Sequence, residues 1–574
     1  VIRTFRTKYG WLLLLFLLFA INLLVAFLPA ARIDLTGEKR YTLSRTTREL
    51  ARSLREELQI DVFLKGEFPS GFRKLAGSTQ DFLRLLREQN PGRISFRFIS
   101  PLDEMPGTGA PYADTLRALG AVPINLTVQR KEGESSNIIF PVALLSYQGR
   151  QALVSLYPGA SNRISQEEIN SAEAVMEYQF VKSIDRLVRE KRSRIGYAVG
   201  NGEPVDERTW DLVQTLSQDY DFGIFNLREQ PAVPRELDVL MVVKPSEPFT
   251  EDQKLKLDQY VMGGGKLLFF VDNLFAEQDS LSFKPETIAF DRNLNLTDLL
   301  FRYGVRINTD LVMDLQCDLI PLVVGGTLEN PQFEFLRWNY FPLFATGGNR
   351  LVNRNMGYVA GRFVNSVDSI QVSGVKKYVI LSSSPNSRII STPALISLNE
   401  NRNAPEDEKF KTSAIPAGML LEGIFTSLYR NRVSQAQRDT LGQRGMEFRN
   451  ASPENKMIVV ADGDMVLNDL TPQGPLPMGW NRYTYREYEN QTEAGRFFVP
   501  VANREFLLSC VEYLLSNSAI IETRNKEIVL RLLNSRRVSE QRTRWQLLNI
   551  AVPVALVVLA GFGYQQLRRR RFAS

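Results

Sequence analysis

The chain has 574 residues, 44% of them hydrophobic and 23% charged, with a formal net charge of +6 and no histidine. That length exceeds what one hydrophobic core organises, so two or three domains are expected in an ordinary globular composition, and the mild charge predicts no nucleic-acid partner. Without histidine the usual general base and commonest metal ligand are missing, which excludes Ser-His-Asp and Cys-His catalysis and ordinary zinc sites.

Residues 11–28, from Trp11 to Leu28, are apolar except for Asn22. Eighteen helical residues span roughly 27 Å, just enough for a bilayer core. A cleavable signal peptide would have a shorter apolar region, about 7–15 residues, ending at a small-residue site. Pro29-Ala30-Ala31 is a poor site of that kind, so an uncleaved anchor over residues 1–32 is expected. The chain opens on Val1, and a few preceding residues are expected to be missing.

Residues 33–192 read as the first soluble domain. A helix over 46–57 carries Leu50 and Leu54 at helical spacing, with Leu58 continuing it. The strand at 60–66, a helix with Phe82, Leu85 and Leu86, and the strand at 94–101 follow. A short helix at 112–119 then leads through Val122-Pro123 to the strand INLTVQR, and residues 143–156 read as a hairpin turning at Gln148-Gly149. That order is similar to a thioredoxin-like fold, in which the Val122-Pro123 bond would be cis. The redox dithiol of such folds is absent, because Cys317 and Cys510 are the only cysteines and form no CxxC. A long helix over 169–192, with Ala172, Val175, Met176, Phe180, Ile184 and Leu187 on one face, links this module to the next.

Residues 193–521 read as a Rossmann-like α/β domain. Its first part, 194–272, alternates short apolar runs (RIGYAVG, DFGIFNL, DVLMVVKP, KLLFFVD) with helix-period segments, the pattern of a parallel sheet buried on both faces. Thr250-Glu251-Asp252-Gln253 is a capping box ahead of a helix burying Leu257, Tyr260 and Val261 and stopped by Gly263-Gly264-Gly265. A helix over 294–303 and the strand VRINTDLVMD come next. About 317–432 changes to short β segments and turns, which reads as a β-rich insertion before the parallel sheet resumes at KMIVVADGD. After a loop at 471–500, the helix NREFLLSCVEYLLS places Cys510 among Leu507, Val511 and Leu514, as a core thiol. Residues 522–546 read as a polar stalk.

Residues 547–574 complete the chain with a second span, from Leu547 to Tyr564, and a basic tail. Arg568, Arg569, Arg570 and Arg571 directly after it mark the cytoplasmic side. The residues flanking the first span are nearly balanced in charge, so the tail sets the orientation. Both termini are then cytoplasmic in the inner membrane, with the bulk of the chain periplasmic.

RIDLTGEKRYTLS, INSAEAVMEYQFVKSIDRL, the GNGEP turn at 200–204, WNYFPL, MLLEGIFTSLYRNR and NREFLLSCVEYLL together resemble the GldG family of Bacteroidota, over nearly the whole chain. The resemblance implies an auxiliary component of a gliding-motility-associated ABC transporter, with a GldF-like permease, a GldA-like ATPase and the lipid bilayer as partners. Copy number, one or two per complex, stays open. The central domain also resembles a module shared with an intraflagellar transport protein and with class I glutamine amidotransferases. Amidotransferase chemistry needs an elbow cysteine with a nearby histidine. Cys317 in LQCDLI lacks that context, Cys510 lies mid-helix, and there is no histidine, so no catalytic residue carries over. No G-x-x-x-x-G-K-[ST] occurs, so ATP hydrolysis is expected in a partner.

Gly200-Asn201-Gly202-Glu203 reads as a tight turn after a strand and lacks the lysine of a phosphate loop. Glu203, Asp272, Asp462 and Asp464 are placed to gather at the carboxyl rim of the sheet, where oxygen ligands would suit Mg²⁺ or Ca²⁺, but acidic residues are also ordinary turn formers. The expectation is no catalytic residue and no cofactor. Two functions remain: a non-catalytic subunit that couples to a permease, or a protein that captures a glycan, lipid or peptide for export.

Overall fold

The computed structural model describes residues 15–20, 23, 42–515, 523 and 535–572, apart from 67, 69, 106–108, 120, 122, 131–132, 158–165, 190, 283, 328–330, 346–350, 354–355, 401–406, 413, 444–446 and 490–500. It forms two units, Val1–Glu527 and Ile528–Ser574. Most of the expected first span falls outside the described residues; within it, residues 15–20 and 23 are helical.

The first unit begins with α1 (Arg45–Ser53), capped by the Ser44 hydroxyl, which accepts from Thr47 N–H. Then come β1 (Leu58–Val62), α2 (Ser70–Gln89), β2 (Ile94–Phe98), α3 (Tyr112–Ala118), β3 (Ile124–Arg130), β4 (Gly133–Ile139), β5 (Val142–Tyr147), β6 (Arg150–Ser155) and α4 (Gln166–Val188). Four of these strands make one sheet in the order β2-β1-β5-β6, with β1 parallel to β2 and antiparallel to β5. The hairpin from β5 to β6 turns at Gln148 and Gly149, both at positive φ, as the sequence indicates.

INLTVQR departs from expectation. It is β3, and it pairs only with β4 in a separate two-stranded ribbon. An antiparallel partner two residues further along the chain wins over a distant place in the sheet, and that place goes to β5. The Val122-Pro123 bond involves Val122, which lies outside the described residues.

The rest of this unit contains β7 (Arg194–Val199), α5 (Trp210–Asp219), β8 (Asp221–Asn226), β9 (Val239–Val243), α6 (Glu251–Met262), β10 (Lys266–Phe270), α7 (Thr297–Tyr303), β11 (Val375–Ser382), β12 (Pro416–Thr426), β13 (Ala451–Val460) and α8 (Asn503–Leu514). A seven-stranded sheet runs β11-β12-β13-β10-β9-β7-β8. Its five strands from β13 to β8 are parallel, and β12 and β11 are added antiparallel. All five residues of β9 are buried because both faces are covered. One face packs under α5 and α8, through Leu212, Leu216, Phe506 and Leu507. The other packs under α6 and α7, through Leu257, Val261, Leu299 and Leu300.

The stretch at 317–432 is therefore not a separate insertion throughout. Its strands β11 and β12 extend the main sheet, since the run Ala417–Leu421 is fully apolar and pairs with β13 in a register that buries it on both faces. The remaining β segments build a side layer around Trp338, Tyr340, Phe341 and Phe363, whose rings meet mostly edge to face. That layer starts earlier than expected, with Leu274–Phe275 and Glu286–Asp291.

Helix α4 joins the two sheets. Its Met176, Phe180 and Ile184 enter the core of the four-stranded sheet. From the same helix the Tyr178 hydroxyl donates to Glu512 Oε2 on α8 at 2.6 Å, and Lys182 pairs with Glu512 at 3.0 Å and Asp219 at 3.2 Å.

The second unit is α9 (Ser535–Phe572), within which Arg544–Arg570 is 27 residues long and apolar enough to cross a membrane. None of that segment is buried by protein. The C-terminal part of the expected polar stalk is continuous with it, in one helix that includes Pro553.

Candidate functional site

Parallel strands present their carboxyl ends along one rim, where loops to the following helices leave room for chemistry. In this sheet Lys244 directly follows β9, Asp272 lies two residues past β10, and Asp462-Gly463-Asp464 begins two residues past β13. Lys244 follows five buried residues and adopts a positive φ of 45°. Its backbone N–H donates to Phe270 O at 2.8 Å, continuing the β9–β10 ladder past the strand end. A side chain at Gly463 would bring its Cβ to 2.6 Å from Lys244 Cβ, so the β13 turn closes on the lysine only because glycine is there.

Two of the four rim carboxylates, Asp272 and Asp464, converge on this lysine, and Glu277, which sequence reasoning did not place there, joins them. Lys244 Nζ lies 2.6 Å from Asp464 Oδ1, 3.1 Å from Glu277 Oε2 and 3.5 Å from Asp272 Oδ2. Glu277 is also paired with Arg292. Asp462 sits behind them, with Oδ1 accepting from the N–H groups of Asp464 at 2.8 Å and Met465 at 3.1 Å, and Oδ2 from Arg362 N–H at 2.8 Å. Asp272 Oδ1 accepts from Gly463 N–H. Glu203 stands apart in the turn after β7. Its Oε2 accepts from Asn201 N–H at 2.7 Å, and Asn201 in turn exchanges hydrogen bonds with Gln253 of the α6 capping box.

Burial and mutual charge divide these carboxyls. Burial pushes Asp272 up to about 6, against the pull of Lys244. Burial, then Asp272 and Asp464, raise Asp462 well above the usual carboxylate range. Burial also opposes ionisation of Asp464, but Lys244 and Arg362 outweigh it and hold Asp464 low. Lys244 loses from burial and gains more from Asp464, Asp272 and Glu277, so it stays charged.

These residues do not suit a metal. An ammonium group already occupies the point on which the carboxylates converge, the second oxygen of Asp272 accepts from Gly463 N–H, and that of Glu277 is held by Arg292. Among the described residues no group of three or more acidic or thiol side chains has the placement to hold an ion. Lys244 is the residue that sequence reasoning missed. The signal available was weak: in VLMVVKP it directly follows its strand, one register position before Asp272 in FFVD and Asp462 in VVAD.

The thiols are equally remote from chemistry. Cys510 is fully buried in α8, and Cys317 is buried with its Sγ 3.7 Å from Leu315 O and 3.6 Å from Asn339 Oδ1. Burial pushes both well above the usual thiol value, away from the reactive thiolate.

Residues 192–494 match a family described as ABC-type uncharacterized transport system, and residues 37–146 match a domain of unknown function. An uncharacterized protein of Borreliella burgdorferi is 20% identical over 444 residues, which is 74% of this chain and 80% of that protein. Among solved structures, the mmIFT52 N-terminal domain aligns with 56% of this chain and 97% of its own length, at 14% identity and a TM-score of 0.29. The exo-β-1,4-mannosidase Op5Man5 of an Opitutaceae bacterium aligns with 84% of this chain and 56% of its own, at 10% identity and a TM-score of 0.20.

Proposed function

This chain belongs to the ABC-type uncharacterized transport system family, whose match covers more than half of it, and from that premise we propose that it is a non-catalytic, membrane-anchored subunit coupling to a permease. An auxiliary component of an ABC-type system has transporter subunits as its partners. The observation that carries the finer reading is α9: a 27-residue helical segment apolar enough to cross a membrane, ending in a run of arginines. The lysine-filled rim supports the non-catalytic part, because its charges neutralise one another and leave no free base, nucleophile or metal position.

Within that reading the chain is GldG-like, its permease GldF-like and its ATPase GldA-like, in a system serving gliding motility or an export step linked to it. Residues 11–28 supply a second anchor, both termini are cytoplasmic, and residues 33–544 lie outside, in the periplasm. Strand order β2-β1-β5-β6 with this mix of directions supports a thioredoxin-like first module. The five parallel strands with helices on both faces support a Rossmann-like central one. Mild detergent extraction followed by affinity isolation tests the coupling. A permease and an ATPase should co-isolate in fixed ratio, and a chain that isolates alone from membranes containing both would refute it.

A further inference from the structure

A cavity of about 750 Å³ opens on the α7 side of the central sheet, away from the rim. One wall is the turn after β12, carrying Arg430, Asn431 and Arg432; the other is the loop into α7, with Asn293 and Thr297, and Arg302 on the helix itself. Its size suits a sugar unit or two.

The cavity is short of negative charge. Asp298 is its one acidic lining residue, and that carboxylate is engaged by the buried Lys254, whose Nζ lies 3.0 Å from Oδ1 and 3.1 Å from Oδ2. Arg432 comes no nearer to Asp298 than 3.8 Å. Arg302 uses its Nε on Thr426 O at 3.3 Å, which leaves its two terminal nitrogens. Three arginines, Arg302, Arg430 and Arg432, thus line the cavity with a single carboxylate that Lys254 already engages, an arrangement that an oxyanion relieves.

Both walls are rigid before any ligand arrives. The fully buried Asp258 accepts from Ser427 Oγ at 2.6 Å and from Leu428 N–H at 2.9 Å, and Tyr429 donates to Glu251 Oε2 at 2.9 Å, so the arginine-bearing turn is tied to α6. Opposite, Asn293 and Asn295 hold left-handed backbone with φ of 54° and 57°. Asn295 Nδ2 donates to Phe249 O at 2.8 Å. Such preorganisation lowers the cost of binding. Phe301, 49% exposed, adds an apolar surface against which a sugar ring can lie.

We infer that this cavity binds a phosphorylated or carboxylated sugar, with Arg302, Arg430 and Arg432 on the oxyanion and Asn293, Thr297 and Asn431 toward its hydroxyls. The inference rests on the geometry of this cavity and not on coupling to a permease. Titration calorimetry of the full chain in neutral detergent tests it, with glucose 6-phosphate, glucuronate and glucose as probes and phosphatidylglycerol vesicles as a separate arm. At least one acidic sugar should bind and glucose should not. The double variant Arg430→Gln, Arg432→Gln should weaken binding by at least about tenfold without moving the thermal midpoint. Binding confined to the vesicles, and lost in that variant, would place the same oxyanion chemistry on a lipid headgroup. No binding in any arm, or binding unchanged in a folded double variant, would overturn the inference.

Discussion

Lys244 decides the character of the rim. Removing one partner of a buried charge set leaves the others uncompensated, at a cost of about 3–5 kcal/mol. Lys244→Met should therefore lower stability by that order, read as the urea midpoint of the full chain in detergent. Asp272 makes a pH-dependent prediction. Its folded value, raised to about 6 by burial, lies above that of the unfolded chain. The protonated carboxyl thus supports the fold below about pH 4, and that support is lost as pH rises through about 6, a loss of up to about 3 kcal/mol for a shift near two units. In Asp272→Asn this part of the pH dependence between 4 and 7 should flatten; an unchanged slope would show that the group does not titrate there. Gly463→Ala forces a Cβ against Lys244 and should cost about 1–3 kcal/mol. The sequence shows the three aspartates at strand ends, but not that a lysine pairs with two of them, Asp272 and Asp464. Lysine after a strand is an ordinary solvent-facing residue, and only the closing of the 462–464 turn over it buries the charge.

At the scale of elements, the parts best legible in the sequence are those whose pattern is local. β9 is apolar throughout, and β7 and β10 after their first residues, because they are covered on both faces, and α6 announces itself by its capping box, which forms as read. Thr250→Ala should cost about 1 kcal/mol by freeing that cap. Partner choice is what stays hidden. Nothing within residues 124–130 says that they pair with 133–139 instead of with β1. Nothing within 416–426 says that this strand adds antiparallel to β13, a choice made by chain segments far apart. The cavity beside α7 has the same origin, since its arginines become a cluster only when β12 takes that place and Asp258 fixes the turn that follows.

For the whole molecule, α4 is the joint. The bonds of Tyr178 and Lys182 to Glu512 tie the two modules of the first unit together. The coupling role proposed above would draw on both modules and the apolar terminal helix, and not on the rim. The most direct measurement is photo-crosslinking from successive positions along α9, Leu556, Leu559, Ala560 and Gly563 among them, in native membranes that contain the permease. The coupling account predicts adducts to a permease helix that recur with helical period along one face. Adducts to lipid alone at every position would contradict it.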